Sequence, residues 1–372
     1  MATDSAGLYI HVPFCKKKCG YCSFYSVCHG ENAGAGFVDA LKTEFRKYDA
    51  LCFDTLYIGG GTPTAVSDMD FDNICDFAFK VNGEKTVEAN PESLSSAKIS
   101  ILKEHGFNRL SIGLQSPARK DLEFLGRIHS FEDFRKCFIT ARSAGFKNIN
   151  VDLIYGLENQ SLKEWLKNLE KITAYEPEHI SCYCLSIERD SGFYERAGEN
   201  PIRLPCDDIT ASMFIETHKF LAATGYVHYE ISNFAKKAKE CAHNINYWKN
   251  GQYAGLGPSA WSFIDNIRFR NVSDLNGYLA SAGAGESCIG EEDRVDARVR
   301  FYETICIGLR MKDGVNIENV SKRYNIDFRE CYRDIFDKLN EDGFLFMENG
   351  FLKPTLKGML FHNTVAAEFV LL

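Results

Sequence analysis

The first half of the chain alternates two hydrophobic patterns. Short β-rich runs at 8–12, 55–58, 85–89, 109–113, 149–154 and 179–187 are separated by longer stretches with a helical period. Phe37, Leu41 and Phe45 recur every four residues, and Phe131, Phe134 and Phe138 recur by three and four, so each set shares one buried helix face. Strands alternating with helices predict βα units and a parallel sheet, and six units in a row predict an α/β fold curled into a partial (β/α)6 barrel. In such a barrel the loops that follow the strands gather at the strands' C-terminal ends, and residues placed there are the ones expected to carry chemistry.

Beyond residue 187 the pattern loosens through Gly192, Gly198, Pro201 and Pro205. It resumes with a predicted helix over 207–224 and a strand over 226–232, read as an extension of the barrel. The stretch 276–290 is rich in Gly, Ser and Ala with little period, and is read as a linker between residues 1–275 and 291–372. Helical patterns follow at 293–311, 317–324 and 328–342. Asn349-Gly350 then separates Leu345-Phe346 from Phe351-Leu352 as a hairpin turn would, which predicts a small winged-helix-like α+β domain. Glu318, Asp327, Glu330 and Asp334 make its helices mixed or acidic, favouring a lid or docking role over DNA binding.

Composition narrows the classes. The 372 residues are 45% hydrophobic and 25% charged, enough for a full globular core. A net charge of -8 argues against a general nucleic-acid partner, since phosphate binding needs clustered Lys and Arg. No run reaches the roughly 20 apolar residues of a membrane span, and the start of the chain lacks a secretory pattern. The chain is therefore expected to be cytoplasmic, with the apolar end at 365–372, interrupted by Glu368, docked on the protein itself.

Fourteen cysteines in a chain with no secretory pattern point to metal or catalysis where they are closely spaced. Cys75, Cys137 and Cys306 sit in apolar helical patterns and are expected in the core. Cys15, Cys19 and Cys22 follow the first strand directly, in the order Cys-x-x-x-Cys-x-x-Cys. Three thiolates on a [4Fe-4S] cube leave one iron open to a chelating small molecule, and S-adenosylmethionine (SAM) offers an amino and a carboxylate group for it. The competing reading is a structural zinc site completed by His11 or Cys28. Cys182 and Cys184 alternate along the sixth strand and share a face, but without two more close ligands they are read as structural.

The run Tyr9-Ile-His-Val-Pro-Phe-Cys15-Lys-Lys-Lys-Cys19-Gly-Tyr-Cys22 resembles the radical SAM family of oxygen-independent coproporphyrinogen III oxidases, and more closely its haem-chaperone (HemW) branch. The resemblance continues through Gly59-Gly-Gly-Thr-Pro-Thr64, Val87-Glu-Ala-Asn-Pro-Glu92, Leu110-Ser-Ile-Gly-Leu-Gln-Ser116, Leu125-Gly-Arg-Ile-His129 and Val151-Asp-Leu-Ile-Tyr-Gly156, and it covers nearly the whole chain. It implies that Cys15, Cys19 and Cys22 ligate the cluster. It also implies that Gly60, Gly61 and Thr62 receive the SAM methionine end, that Glu88 and Asp152 meet SAM's polar edges, and that Gln115 and Arg127 secure neighbouring groups and the carboxylate. Tyr9 and Tyr21 match family positions that touch SAM. Lys16, Lys17 and Lys18 form a basic patch that reads either as an attractor for an acidic electron donor, a flavodoxin or ferredoxin, or as a solvated charge run.

Two readings of function follow from the resemblance. An oxidase would use a 5'-deoxyadenosyl radical on the propionates of coproporphyrinogen III. A haem chaperone would carry haem to an acceptor protein. The oxidases have an amino-terminal extension and a further cysteine two positions after the third, where this chain has Phe24, which favours the chaperone. His243-Asn-Ile-Asn-Tyr247-Trp248 reproduces a pattern of haem-handling members and makes His243 the expected haem ligand, against a purely structural role closing the barrel. Gly255-Leu-Gly-Pro-Ser-Ala-Trp261-Ser262 departs from many relatives by having Trp261 in place of His. A methyltransferase or haem-degrading relative on the same barrel is a third reading.

Overall fold

The computed structural model describes residues 6–28, 34, 36–199 and 201–370, so the chain's first five residues and Leu371-Leu372 lie outside the described residues. Six strands run parallel and in order: β1 (Ala6–Val12), β2 (Phe53–Gly60), β3 (Val81–Ala89), β4 (Arg109–Gln115), β5 (Ile149–Tyr155) and β6 (His179–Cys184). Every residue of β4 but Gln115 is buried, and so are six of the seven in β1 and in β5. That continuous burial is what a parallel strand covered on both faces requires. Four of the intervening helices start where the sequence supplies a cap: Ser67, Ser95, Ser130 and Ser161 each accept a backbone N–H of the first turn, with full capping boxes at Ser130/Asp133 and Ser161/Glu164.

The sheet extends to twelve strands. Beside β1 lies Tyr253–Leu256, also parallel, followed by Trp261–Ile264, Ile267–Asn271 and Ile289–Arg294 in antiparallel array. Beside β6 lie Asn233–Ala235 and Val227–Glu230. Among the described residues these two outer edges do not pair, so the barrel is partial. Two expected spans shorten. The sixth strand ends at Cys184 rather than 187, and the strand expected over 226–232 is a tight hairpin, because the chain turns at Ile231-Ser232 and pairs back on itself.

The stretch 276–290, read as a linker, contains most of helix Leu275–Gly283 and the start of strand Ile289–Arg294. Asp274 caps that helix, and its fully buried Tyr278 reaches Glu44 on helix Phe37–Phe45.

The remaining residues build a second core of Phe301, Ile305, Tyr332, Leu339, Leu352 and Phe369 among helices Ala297–Gly308, Ile317–Tyr324, Phe328–Glu341 and His362–Val370 and a three-stranded sheet. Its hairpin turns at Asn349-Gly350, both at positive φ (51° and 79°), as the sequence predicts, and the arrangement is winged-helix-like. The chain's end docks here, with Val365 and Phe369 buried and the Tyr332 hydroxyl donating to the Phe369 carbonyl at 2.9 Å. No helix among the described residues is long and apolar enough to cross a membrane.

Candidate functional site

A cavity of about 470 Å³ opens at the C-terminal ends of the strands. Strands spaced ~4.8 Å apart would set β2 and β6 roughly 19 Å from each other in a flat sheet, yet Tyr57 of β2 and Tyr183 of β6 line the same space, so the sheet is curled. Cys15, Cys19 and Cys22 line it from the loop after β1. Tyr21, Gly60, Gly61, Thr62, Glu88, Gln115, Arg127 and Asp152 line it too, arriving from the ends of four further strands, β2 to β5, and from the loop itself.

The cluster loop is sewn to the end of β2. The Gly61 N–H donates to Val12 O and the Thr62 N–H to Phe14 O, both at 2.8 Å, and the Thr62 hydroxyl lies 3.6 Å from Cys15 Sγ. A Cβ on Gly61 would meet the Pro13-Phe14 backbone at 2.8 Å, and Gly60 stands at φ 108° against the His11 ring. The glycines are therefore needed for the close approach of two loops as well as for any ligand. Burial, first of all, raises the thiol pKa values of Cys15 and Cys22 above the ordinary range. No three His, Cys, Asp or Glu side chains among the described residues converge as around one ion. The thiolates of a four-iron cube bind separate irons and need not converge so.

Arg127 crosses the cavity wall. One guanidinium nitrogen donates to Cys19 Sγ at 3.4 Å, the other to Asn90 and to Gly113 O, and its buried Nε has no partner. Burial opposes its charge, but Tyr21, Cys19 and Glu92 outweigh that and hold its pKa above the ordinary value. Gln115 sits at φ 69° beside a register shift in β4, a strained bulge that re-aims its side chain. Glu88 accepts from the Tyr57 hydroxyl at 2.7 Å, and burial pushes its carboxyl up to about 7. Asp152 accepts from Ser111 (2.9 Å) and Asn150 (2.8 Å), and Asn150 is fixed in turn by His179 and Ser181.

The structure does not bring every expected residue to the cavity. Tyr9 lies outside it, its hydroxyl 3.0 Å from His11 Nδ1. The other His11 nitrogen accompanies Tyr25 O at 2.9 Å, and Cys28 pairs across from Cys15 on a short parallel bridge without lining the cavity, so neither fourth zinc ligand faces it. His243 is fully buried beneath the barrel, with Nδ1 2.8 Å from the Thr55 hydroxyl and Nε2 2.9 Å from the Tyr247 hydroxyl, and it presents no free nitrogen. Cys182 lines a separate crevice against helix Asp207–Ala223, whereas Cys184 lines both that crevice and the cavity. Sequence reasoning passed over Tyr57 and Asn90. Tyr57 was findable, because it shares a strand face with Gly59 by the period of two.

Residues 9–172 match the model of the radical SAM superfamily, and residues 295–361 match that of the HemN C-terminal domain. The haem chaperone HemW of Lactococcus lactis is 32% identical over 98% of this chain and 97% of its own length. The chain belongs to the HemW family of radical SAM proteins. The Escherichia coli family member is 36% identical over 68% of each chain. The fold is that of E. coli HemN, a coproporphyrinogen III oxidase described as a radical SAM enzyme, with a TM-score of 0.87 at 21% identity over 98% of this chain and 90% of that one. Members of the superfamily carry a [4Fe-4S] cluster and SAM. The cavity fits both by its own chemistry: three thiols on one loop, two glycines leaving backbone exposed, and an orphaned buried Arg127 Nε beside polar groups that converge from several strands.

Proposed function

We propose that this protein is a haem chaperone that binds haem and passes it to an acceptor protein, using a cluster held by Cys15, Cys19 and Cys22. The cluster and SAM supply one-electron chemistry when bound. Tyr21, Gly60, Gly61, Thr62, Glu88, Gln115, Arg127 and Asp152 bind and orient SAM, while Tyr9 acts behind them through His11. The observation that carries this reading is the division of the cavity: a polar floor at the strand ends, and a rim of Phe24, Ile128, Tyr183 and Leu185 with Lys16, Lys17 and Lys18 beside it. Phe24, Ile128 and Tyr183 are 67%, 50% and 41% exposed, large apolar surfaces open to a flat apolar ring, and the lysines can meet its carboxylates.

The full-length likeness to proteins named haem chaperones supports the same reading. The lysines also suit an acidic electron donor. Fourteen unpaired cysteines support work in a reducing compartment, the cytoplasm. Because strand Ile289–Arg294 still pairs with the main sheet, the carboxy-terminal unit is best taken to begin after Arg294.

Anaerobic titration of the cluster-reconstituted protein with haem, followed in the visible spectrum, tests the proposal. Saturable, stoichiometric binding is expected. Absence of binding, together with 5'-deoxyadenosine release on addition of coproporphyrinogen III, would replace the chaperone with an oxidase.

A further inference from the structure

The His243 motif lies at the opposite end of the barrel from the cluster loop. Glu84 at the start of β3 accepts from the backbone of Ala242 and His243 at 3.1 and 3.2 Å, anchoring helix Ala242–Trp248 under the sheet. The imidazole is locked by Thr55 and Tyr247, and its face lies against the Tyr57 ring, with centroids 5.3 Å apart and planes at 28°. Thr55, Tyr57 and Gly59 alternate up one face of β2, so the strand itself leads from the buried histidine to the cavity. At the top of this column the Tyr57 hydroxyl donates to Glu88, and Gly59 leaves the room the other carboxylate oxygen occupies, since a Cβ there would come within 2.9 Å of it.

We propose that His243 and Tyr57 are positioning residues for Glu88: the motif acts on the cofactor site through a ring stack and a hydrogen bond, rather than by touching haem. The inference rests on the reading of Glu88 as a SAM contact. An ionised Glu88 can accept two hydroxyls of SAM, whereas a protonated one gives up an acceptor site. The groups facing it are Tyr57 and the Gly60 N–H from β2, Tyr9 from β1, Arg109 from β4, Asp152 from β5 and Tyr183 from β6. Burial chiefly, with Asp152, raises the Glu88 pKa, and Tyr57 lowers it. SAM affinity should therefore fall as pH drops through about 7, and removing the Tyr57 hydroxyl should move that fall to higher pH.

The test uses cluster-loaded protein carrying Tyr57→Phe, His243→Ala or Glu88→Gln. SAM affinity is read from the change in the reduced cluster's EPR spectrum between about pH 6 and pH 9, and haem affinity from the visible spectrum. Tyr57→Phe and His243→Ala should each weaken SAM about tenfold at neutral pH, regain it at the alkaline end, and leave haem affinity unchanged. A His243→Ala protein that loses haem but keeps SAM affinity and its pH midpoint would overturn the proposal. So would an unshifted midpoint in Tyr57→Phe, which decides the matter alone should the histidine variant not fold. Undiminished SAM affinity in Glu88→Gln would remove Glu88 from the SAM site and the proposal with it.

Discussion

Glu44 shows how a single buried residue can tie distant parts of the chain. It lies on the buried face of helix Phe37–Phe45, 2% exposed, and accepts from Gly257 N–H at 3.0 Å, Asn271 Nδ2 at 2.6 Å and the Tyr278 hydroxyl at 2.7 Å. Burial raises its pKa, and these three donors hold it back. Glu44→Ala strands all three donors without water, so a loss of about 3 kcal/mol in chemical denaturation is expected, with Glu44→Gln losing less because an acceptor oxygen remains. A change below 0.5 kcal/mol would show that solvent reaches the pocket. The sequence places Glu44 on the core side, three residues after Leu41 and one before Phe45, but a glutamate there reads as a solvated neighbour. Its partners lie 213 to 234 residues further along, beyond the range of any local pattern.

At the scale of elements, the joint between β1 and β2 decides whether the cluster loop is held. Gly61→Ala would press a methyl against the Pro13-Phe14 backbone, which cannot rotate aside as a side chain can. The expected result is a loss of about 1–3 kcal/mol and a lower iron content per chain after reconstitution. Wild-type iron and melting temperature in that variant would mean the loops part freely. The alternation of strands and helices, the three thiols and the glycine run were legible because each is written within a few neighbouring residues. What was not legible depends on distant pairing. Tyr253–Leu256 inserts beside β1 although some 240 residues separate them, carrying Gly255 and Gly257 to the wall of the barrel. His243 reads as a ligand until Thr55 and Tyr247 are seen to occupy both its nitrogens.

Across the whole molecule the charge is uneven. The chain carries a net -8, which repels an acidic protein at long range, yet Lys16, Lys17 and Lys18 stand exposed at the mouth of the cavity beside the cluster loop. Lys16 is partly committed, its ammonium donating to Glu92 O at 3.2 Å, so Lys17 and Lys18 are the better pair to change. An acidic protein donor that approaches this mouth gains attraction only within about 10 Å at ordinary ionic strength, where the local lysines outweigh the distant net charge. The double variant Lys17→Gln/Lys18→Gln should then reduce its cluster about tenfold more slowly with a flavodoxin at low salt, and the difference should shrink as salt is added. Dithionite, small and not steered to one face, should reduce both proteins alike. Equal rates with the flavodoxin at low salt would mean that electrons enter elsewhere, and the lysines would remain only as partners for carboxylates of the cargo.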